Sequence, residues 1–253
     1  MKNETSWGEV SDWYNNYLET DKDSYQEKVI APNVLRILDV KKGDSILDLA
    51  CGQGFFSRKF FEKGALVSGV DISPELIAKA KKYQARISYF TSPAHKLPFI
   101  KTATMDYVTV ILAIQNIQNV QDVLKESYRV LKPGGKILLV LNHPTFRIPK
   151  NSSWGWDDAG KKQYRRVDAY LSQSKSIIKM HPGKTKSEET VSYHHSLQDY
   201  FKFLTKESFL VSKLEEWISH KKSGIGPRQN AEDTARKEIP MFMAIEAKKL
   251  KNL

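Results

Sequence analysis

The sequence is poor in several features that would decide its chemistry on their own. There is one cysteine in 253 residues, so no disulfide forms within the chain and chemistries that need paired thiols are excluded. That cysteine, Cys51, reads as a small packing residue rather than a nucleophile. No apolar run approaches the roughly 20 residues of a membrane span. The first residues, Met1-Lys2-Asn3-Glu4-Thr5, lack the apolar segment of a secretory signal. Together these absences point to the cytoplasm. No internal repeat, low-complexity segment or trio of metal ligands stands out, so no metal site is expected. Acid is the scarcer charge: 29 Asp and Glu against 40 Lys and Arg leave a formal +11. That balance suits nucleic acid or an acidic substrate. However, Lys79, Lys81, Lys82, Lys125 and Lys132 are spread over helix faces, as on a solvated surface. The length suits one large domain, 1–253, with an insertion.

What the chain does have is concentrated between residues 45 and 71. An apolar strand, Ser45–Leu49, runs through Asp48 into Ala50-Cys51-Gly52-Gln53-Gly54. A helix-forming segment follows, and then a second apolar run ends at Val70-Asp71. This is a strand–loop–helix–strand unit with a carboxylate at the end of each strand. Its glycines permit a sharp turn and close approach of backbone to a ligand. A pyrophosphate on this loop would be repelled by Asp48, and Ser57 occupies the place of the third glycine of a dinucleotide fingerprint. The loop therefore fits an adenosine without phosphate and with a positive group near Asp48, which describes S-adenosylmethionine. Asp71 stands where such units place the ribose acceptor, about 20 residues on.

Four segments in order resemble those of class I S-adenosylmethionine-dependent methyltransferases, in the group that includes the quinone-biosynthesis and small-molecule enzymes (methyltransferase type 11). They are Asp48-x-Ala50-x-Gly52-x-Gly54, Gly69-Val70-Asp71-Ile72-Ser73, Thr91–Phe99 and Leu131–Ile137. The sequence departs from the family at Ala50, where glycine is commoner, and at Pro93, where the family has an aspartate for the adenine amino group. The resemblance implies a Rossmann-like α/β/α sandwich around a mostly parallel seven-stranded sheet with an antiparallel edge hairpin. It implies cofactor contacts from Asp48, Ala50, Gly52, Gly54, Asp71, Ile72, Ala94, His95 and Leu112. An amino-terminal helical cap, 1–40, would add Tyr17 and Tyr25, and the product would be S-adenosylhomocysteine.

Alternation of strands and helices predicts a parallel sheet with ligands at the strands' carboxyl ends. The expected strands are Ser45–Leu49, Leu66–Val70, Ile87–Phe90, Asp106–Ala113 and Lys136–Leu141, then Val211–Ile218 and Met241–Ala247. Helices are expected over Gln53–Lys63, from Pro74 to Gln84 behind a Ser73 cap, and over Val120–Leu131, Leu197–Glu207 and Ala231–Lys237. Tyr25–Leu38 reads as a helix interrupted near Pro32.

Residues 142–196 read as an insertion at the ligand end of the sheet, a lid or substrate wall. Ser174–Lys179 and Glu189–His194 are expected to pair around Pro182-Gly183. Trp154, Trp156, Tyr164 and Tyr170 interleave with Arg147, Arg165, Arg166 and Lys161, a pattern that also suits nucleobase stacking. Histidine suits a general base near neutral pH, and His195 and His143 are the candidates. Gln115 and Asn116, just past strand four, are placed to position an acceptor, with Trp154 and Tyr170 as walls. No Asn-Pro-Pro-Tyr follows strand four, which argues against methylation of base amino groups. The expected acceptor is a small molecule, with the chain a monomer or homodimer. The competing readings are an RNA methyltransferase using the basic surface and a non-catalytic S-adenosylmethionine-binding protein.

Overall fold

The computed structural model describes residues 20–179 and 189–250. Tyr17 and the Pro182-Gly183 turn lie outside the described residues. Seven strands form the main sheet: β1 (Ser45–Leu49), β2 (Leu66–Asp71), β3 (Ser88–Thr91), β4 (Met105–Ile111), β5 (Leu131–Asn142), β10 (Phe209–Trp217) and β11 (Phe242–Lys249). Their order is β10-β11-β5-β4-β1-β2-β3. The five strands from β5 to β3 run parallel. β11 is antiparallel to both β5 and β10, which makes the edge hairpin. The helices are α1 (Ala31–Leu38), α2 (Phe55–Glu62), α3 (Pro74–Tyr83), α4 (Val120–Val130), α5 (Leu197–Lys206) and α6 (Gln229–Glu238).

The near-continuous apolar strands bury residues on both faces, because successive side chains point to opposite sides. Ile46, Leu138, Val140 and Ala244 pack with Val34, Phe56, Phe60 and Ile77 from α1, α2 and α3. Their neighbours Leu47, Leu139, Leu141 and Ile245 pack on the other face with Val123, Leu124, Tyr200 and Leu204 from α4 and α5. Each fully buried large side chain stabilises the fold by roughly 1.5–3 kcal/mol before cavity effects. Among the described residues, no helix is long and apolar enough to cross a membrane.

Three local departures have physical causes. The helix expected from Tyr25 opens as a π-helical turn, Gln26–Ile30, and tightens into α1 only at Ala31. Pro32 lacks an N–H and crowds the carbonyl four residues back, so the chain widens before it. β5 begins at Leu131, before its Gly134-Gly135 turn, through an irregular pairing with β4 near Met105. The insertion holds two hairpins instead of one. β8 (Ser174–Lys179) and β9 (Glu189–His194) pair as expected, and β6 (Ser152–Asp157) pairs with β7 (Lys162–Val167). In the second hairpin Gly155 faces Tyr164, whose ring occupies the space a Cβ would need, at 2.3 Å.

The loop from β1 to α2 carries its backbone through the left-handed region at Ala50 (φ 53), Gly52 (φ 57) and Gly54 (φ 80). Glycine adopts that conformation freely, whereas alanine resists it. Tyr89 of β3 lies under the loop, and a Cβ added at Gly54 would stand 2.3 Å from its Oη. Ala50→Gly is therefore expected to raise stability by roughly 0.5–1 kcal/mol. Gly54→Ala is expected to lower it by about 1–3 kcal/mol through overpacking and strain. Urea unfolding of the two variants beside the wild-type protein checks both signs.

Candidate active site

β2 ends in Asp71, and the loop after β1 folds back onto it. Asp71 Oδ2 accepts from the Gly52 N–H at 2.8 Å and Oδ1 accepts from the Ser73 N–H at 2.9 Å. Cys51 N–H also donates to the Val70 carbonyl at 3.0 Å, so the loop is pinned to the strand end at two points. Burial raises the Asp71 pKa, and the amides of Ser73, Gly52 and Ile72 pull it back. Two carboxylate oxygens offer about four acceptor positions in all, so a vicinal diol can still bond here.

Asp48 has a different setting. It is 1% exposed. One oxygen accepts from Ser57 Oγ at 2.6 Å and the other from Thr109 Oγ1 at 3.0 Å. Burial pushes its pKa up to about 6, against the pull of those two hydroxyls, and the nearby Asp71 charge pushes the same way. Asp48 therefore ties β1 to β4 and to α2. Cys51 is half-buried, and burial holds its thiol well above the usual value, so no thiolate nucleophile forms.

The segment after β3 makes a compact turn. Ser92 N–H donates to the Asp71 carbonyl at 2.9 Å, and Lys96 N–H donates to the Pro93 carbonyl at 2.9 Å. Ala94 is buried and His95 is exposed beside it. Phe90 and Phe99 stack at 4.3 Å nearby. At the end of β4, Leu112 is held at φ 54 while its N–H donates to Val140 at 2.7 Å. A leucine in that conformation stores strain of order 1–3 kcal/mol and marks a position the surrounding fold over-determines.

Just beyond Leu112, a 3-10 turn, Ile114–Asn116, carries the acceptor-side candidates. Gln115 Nε2 donates back to the Leu112 carbonyl at 3.0 Å, and its Oε1 is buried with no partner. Asn116 closes the turn through its N–H to Ala113. β9 packs against this turn. At the end of β9, His194 Nε2 pairs with the Tyr170 carbonyl at 2.7 Å, and Tyr170 Oη accepts from the Leu197 N–H. His195 is buried against Tyr200 and Phe203 with both ring nitrogens unpartnered, and burial lowers its pKa.

His143 has no free lone pair. Its Nδ1 accepts from the Thr145 N–H at 3.2 Å, so Nε2 carries the proton and donates to Glu216 at 2.7 Å. Burial lowers its pKa, with Glu216 opposing. This is a neutral ring clamped between β5 and β10. Tyr25 Oη bonds Ser219 Oγ at 3.1 Å, and its ring meets Phe242 edge-on. Trp154 lies with Arg147 and Arg165 at 5.6 and 5.2 Å, and Trp156 with Arg228 at 4.5 Å. Trp154 thus packs against two arginines of the insertion, and Trp156 against one outside it.

Thr109, Tyr89 and Glu216 were not among the residues singled out from sequence, and Ser57 was noted only for standing where a third glycine would. Thr109 was detectable as the lone polar side chain at the centre of the apolar β4 run. Among the described residues, no cluster of three or more His, Cys, Asp or Glu is placed to hold a metal.

Residues 47–139 match the family of methyltransferase domains. A demethylmenaquinone methyltransferase of Streptomyces avermitilis is 35% identical over 122 residues, 48% of this chain and 52% of that protein. A malonyl-[acyl-carrier protein] O-methyltransferase of Serratia marcescens is 35% identical over 96 residues, 38% of this chain and 37% of that protein. The chain thus spans about half or less of the length of these relatives. The crystal structure of an S-adenosylmethionine-dependent methyltransferase from Mesorhizobium loti superposes with a TM-score of 0.67 at 25% identity, over 86% of this chain and 96% of that one. The segment 47–139 is thus similar to methyltransferase domains, and the chain as a whole shares the fold of the superposed S-adenosylmethionine-dependent methyltransferase.

Proposed function

We propose that the protein binds S-adenosylmethionine in the loop between β1 and α2 and transfers its methyl group to a small-molecule acceptor at the ends of β4 and β5. The observation that carries this reading is the preformed Asp71 site. Its carboxylate is oriented by two backbone amides and stands beside a loop whose glycines let a nucleoside approach. Bound there, the cofactor supplies an electrophilic methyl on a sulfonium leaving group.

The chain's own residues orient, shield and hold protons. Asp71 accepts from the ribose hydroxyls, with the Ile72 backbone, Ala94 and His95 around the adenine and Leu112 under the sugar–sulfur region. Asp48 supplies negative potential from behind the loop toward the ammonium and sulfonium groups. Gly52, Gly54 and Ala50 provide the close approach. Tyr25 forms the near wall. The insertion 142–196 excludes water from the transfer site, with Trp154 and Tyr170 in its framework. Gln115 Oε1, open and buried, orients the acceptor together with Asn116. His195 takes the acceptor's proton, since its nitrogens are free and its lowered pKa keeps it neutral near pH 7. His143, with both nitrogens engaged, holds β5 to β10 instead. The match to methyltransferase domains ends at residue 139, before the insertion, so the acceptor of the quinone-biosynthesis relatives is not carried over.

Calorimetric titration with S-adenosylmethionine and S-adenosylhomocysteine is expected to show binding of both. Asp71→Ala should weaken it roughly 10–100-fold, the equivalent of about 1–3 kcal/mol. Unchanged affinity would remove Asp71 from the site.

The second expectation concerns pH. The folded-state pKa of His195 lies below its ordinary 6.5, so the unfolded chain takes up the proton first. Stability is therefore fully present above about 6.5 and declines as the pH falls through that value. His195→Gln should flatten this decline in urea unfolding at a series of pH values. The same slope in the variant would show that His195 does not titrate as a buried neutral ring.

A further inference from the structure

Arg147, Arg165 and Arg236 gather at the insertion, and among the described residues the acid near them is Asp233, which accepts from the Ser223 N–H at 2.7 Å and feels the Arg236 charge without forming an ion pair with it. Among the described residues, the side chain of Arg147, just past β5, has no hydrogen-bond partner, and its Nε is buried. Burial lowers its pKa, Tyr25 opposes that, and Arg236 adds to it, so Arg236 of α6 lies within electrostatic reach. Arg165 of β7 and Arg147 lie 5.2 and 5.6 Å from the same Trp154 ring, close enough for their charges to repel. Arg165 donates only to neutral oxygens, the Phe146 carbonyl at 2.7 Å and Ser152 Oγ at 2.8 Å. Arg236 Nε donates to Ser223 Oγ at 3.1 Å. α6 packs on β7, which brings the third arginine to the other two.

Elsewhere among the described residues arginines either stack on rings, as Arg86 on Phe61 and Arg228 on Trp156, or pair with acids. Arg36 pairs with Glu215, Arg129 with Glu126 and Arg166 with Asp168. Among the described residues, none of Arg147, Arg165 and Arg236 forms an ion pair. Like charges gathered in a half-buried place are unfavourable unless an anion completes them. Guanidinium forks match planar oxyanions in a bidentate way.

The position identifies the occupant. Neighbouring strands lie about 4.8 Å apart, and β5 is three steps from β2, so the end of β5 is roughly 14 Å from the Asp71 strand. On the proposed reading a nucleoside at Asp71 extends along β1 and β4, and Arg147, just past the end of β5, stands beyond them in the strand order. We propose that Arg147, Arg165 and Arg236 form an anion subsite for the methyl acceptor, which therefore carries a carboxylate. This rests on the cofactor occupying the Asp71 side.

Benzoate and the isosteric, uncharged benzamide, titrated into the S-adenosylhomocysteine-loaded protein, test the subsite. Benzoate is expected to bind at least about tenfold more tightly than benzamide. Arg147→Gln and Arg236→Gln, each first shown folded by circular dichroism, should both erase the preference. Affinity for S-adenosylhomocysteine should stay within about twofold of wild type in both variants. No preference for benzoate, or a preference that survives both substitutions, overturns the proposal. So does a loss of S-adenosylhomocysteine affinity in Arg147→Gln without any benzoate effect, since the cofactor's own carboxylate would then be the occupant. If S-adenosylhomocysteine does not bind the wild-type protein, the cofactor reading fails. The benzoate-against-benzamide comparison on the free protein still decides whether the arginines form an anion site.

Discussion

The site depends on one bond between strands that are only neighbours in the sheet. The Gly52 amide donates to the Asp71 carboxylate, and the Ser73 amide donates to the other oxygen. The first bond fixes the loop after β1 and the second starts α3, so one side chain sets the geometry of both segments. Left-handed backbone at Ala50, Gly52 and Gly54 makes the approach possible. Tyr89 beneath Gly54 and Gly69 fills the space that any larger residue there would claim. The loop is thus held in place by protein contacts before any ligand arrives, which lowers the ordering cost of binding.

Two aspartates close together do different things because burial and partners differ. Asp48 lies on the α2 face of β1 and spends its oxygens on Ser57 and Thr109. Asp71 lies at a strand end and keeps acceptor capacity. The same contrast separates two histidines: His143 is locked by Thr145 and Glu216, while His195 has two open nitrogens. Residue type alone does not distinguish members of either pair; the register of the strands decides it.

That distinction also marks what was legible in the sequence. Strand ends, the Ser73 cap and the β8–β9 pairing are local signals, carried by a run of apolar residues or a serine before a helix, and they were readable. The β6–β7 hairpin was not, because its strands are half-polar and its pairing rests on Tyr164 covering Gly155. The π-helical turn at Gln26–Ile30 follows from Pro32, but the sequence shows only the interruption. Among site residues, positions after strands were predictable from topology. The direction of a side chain, such as Asp48 inward, depends on β4 contributing Thr109 from 61 residues away. The arginine cluster combines residues from a loop, a hairpin and a late helix, so no window of sequence contains it.

The most direct test of the central constraint is amide hydrogen exchange at Gly52, with and without S-adenosylhomocysteine. A loop pinned by Asp71 should already exchange slowly in the free protein, and more slowly still with the ligand present, together with the amides of residues 71–73. Fast exchange at Gly52 in the free protein, unchanged by saturating ligand, would contradict the account.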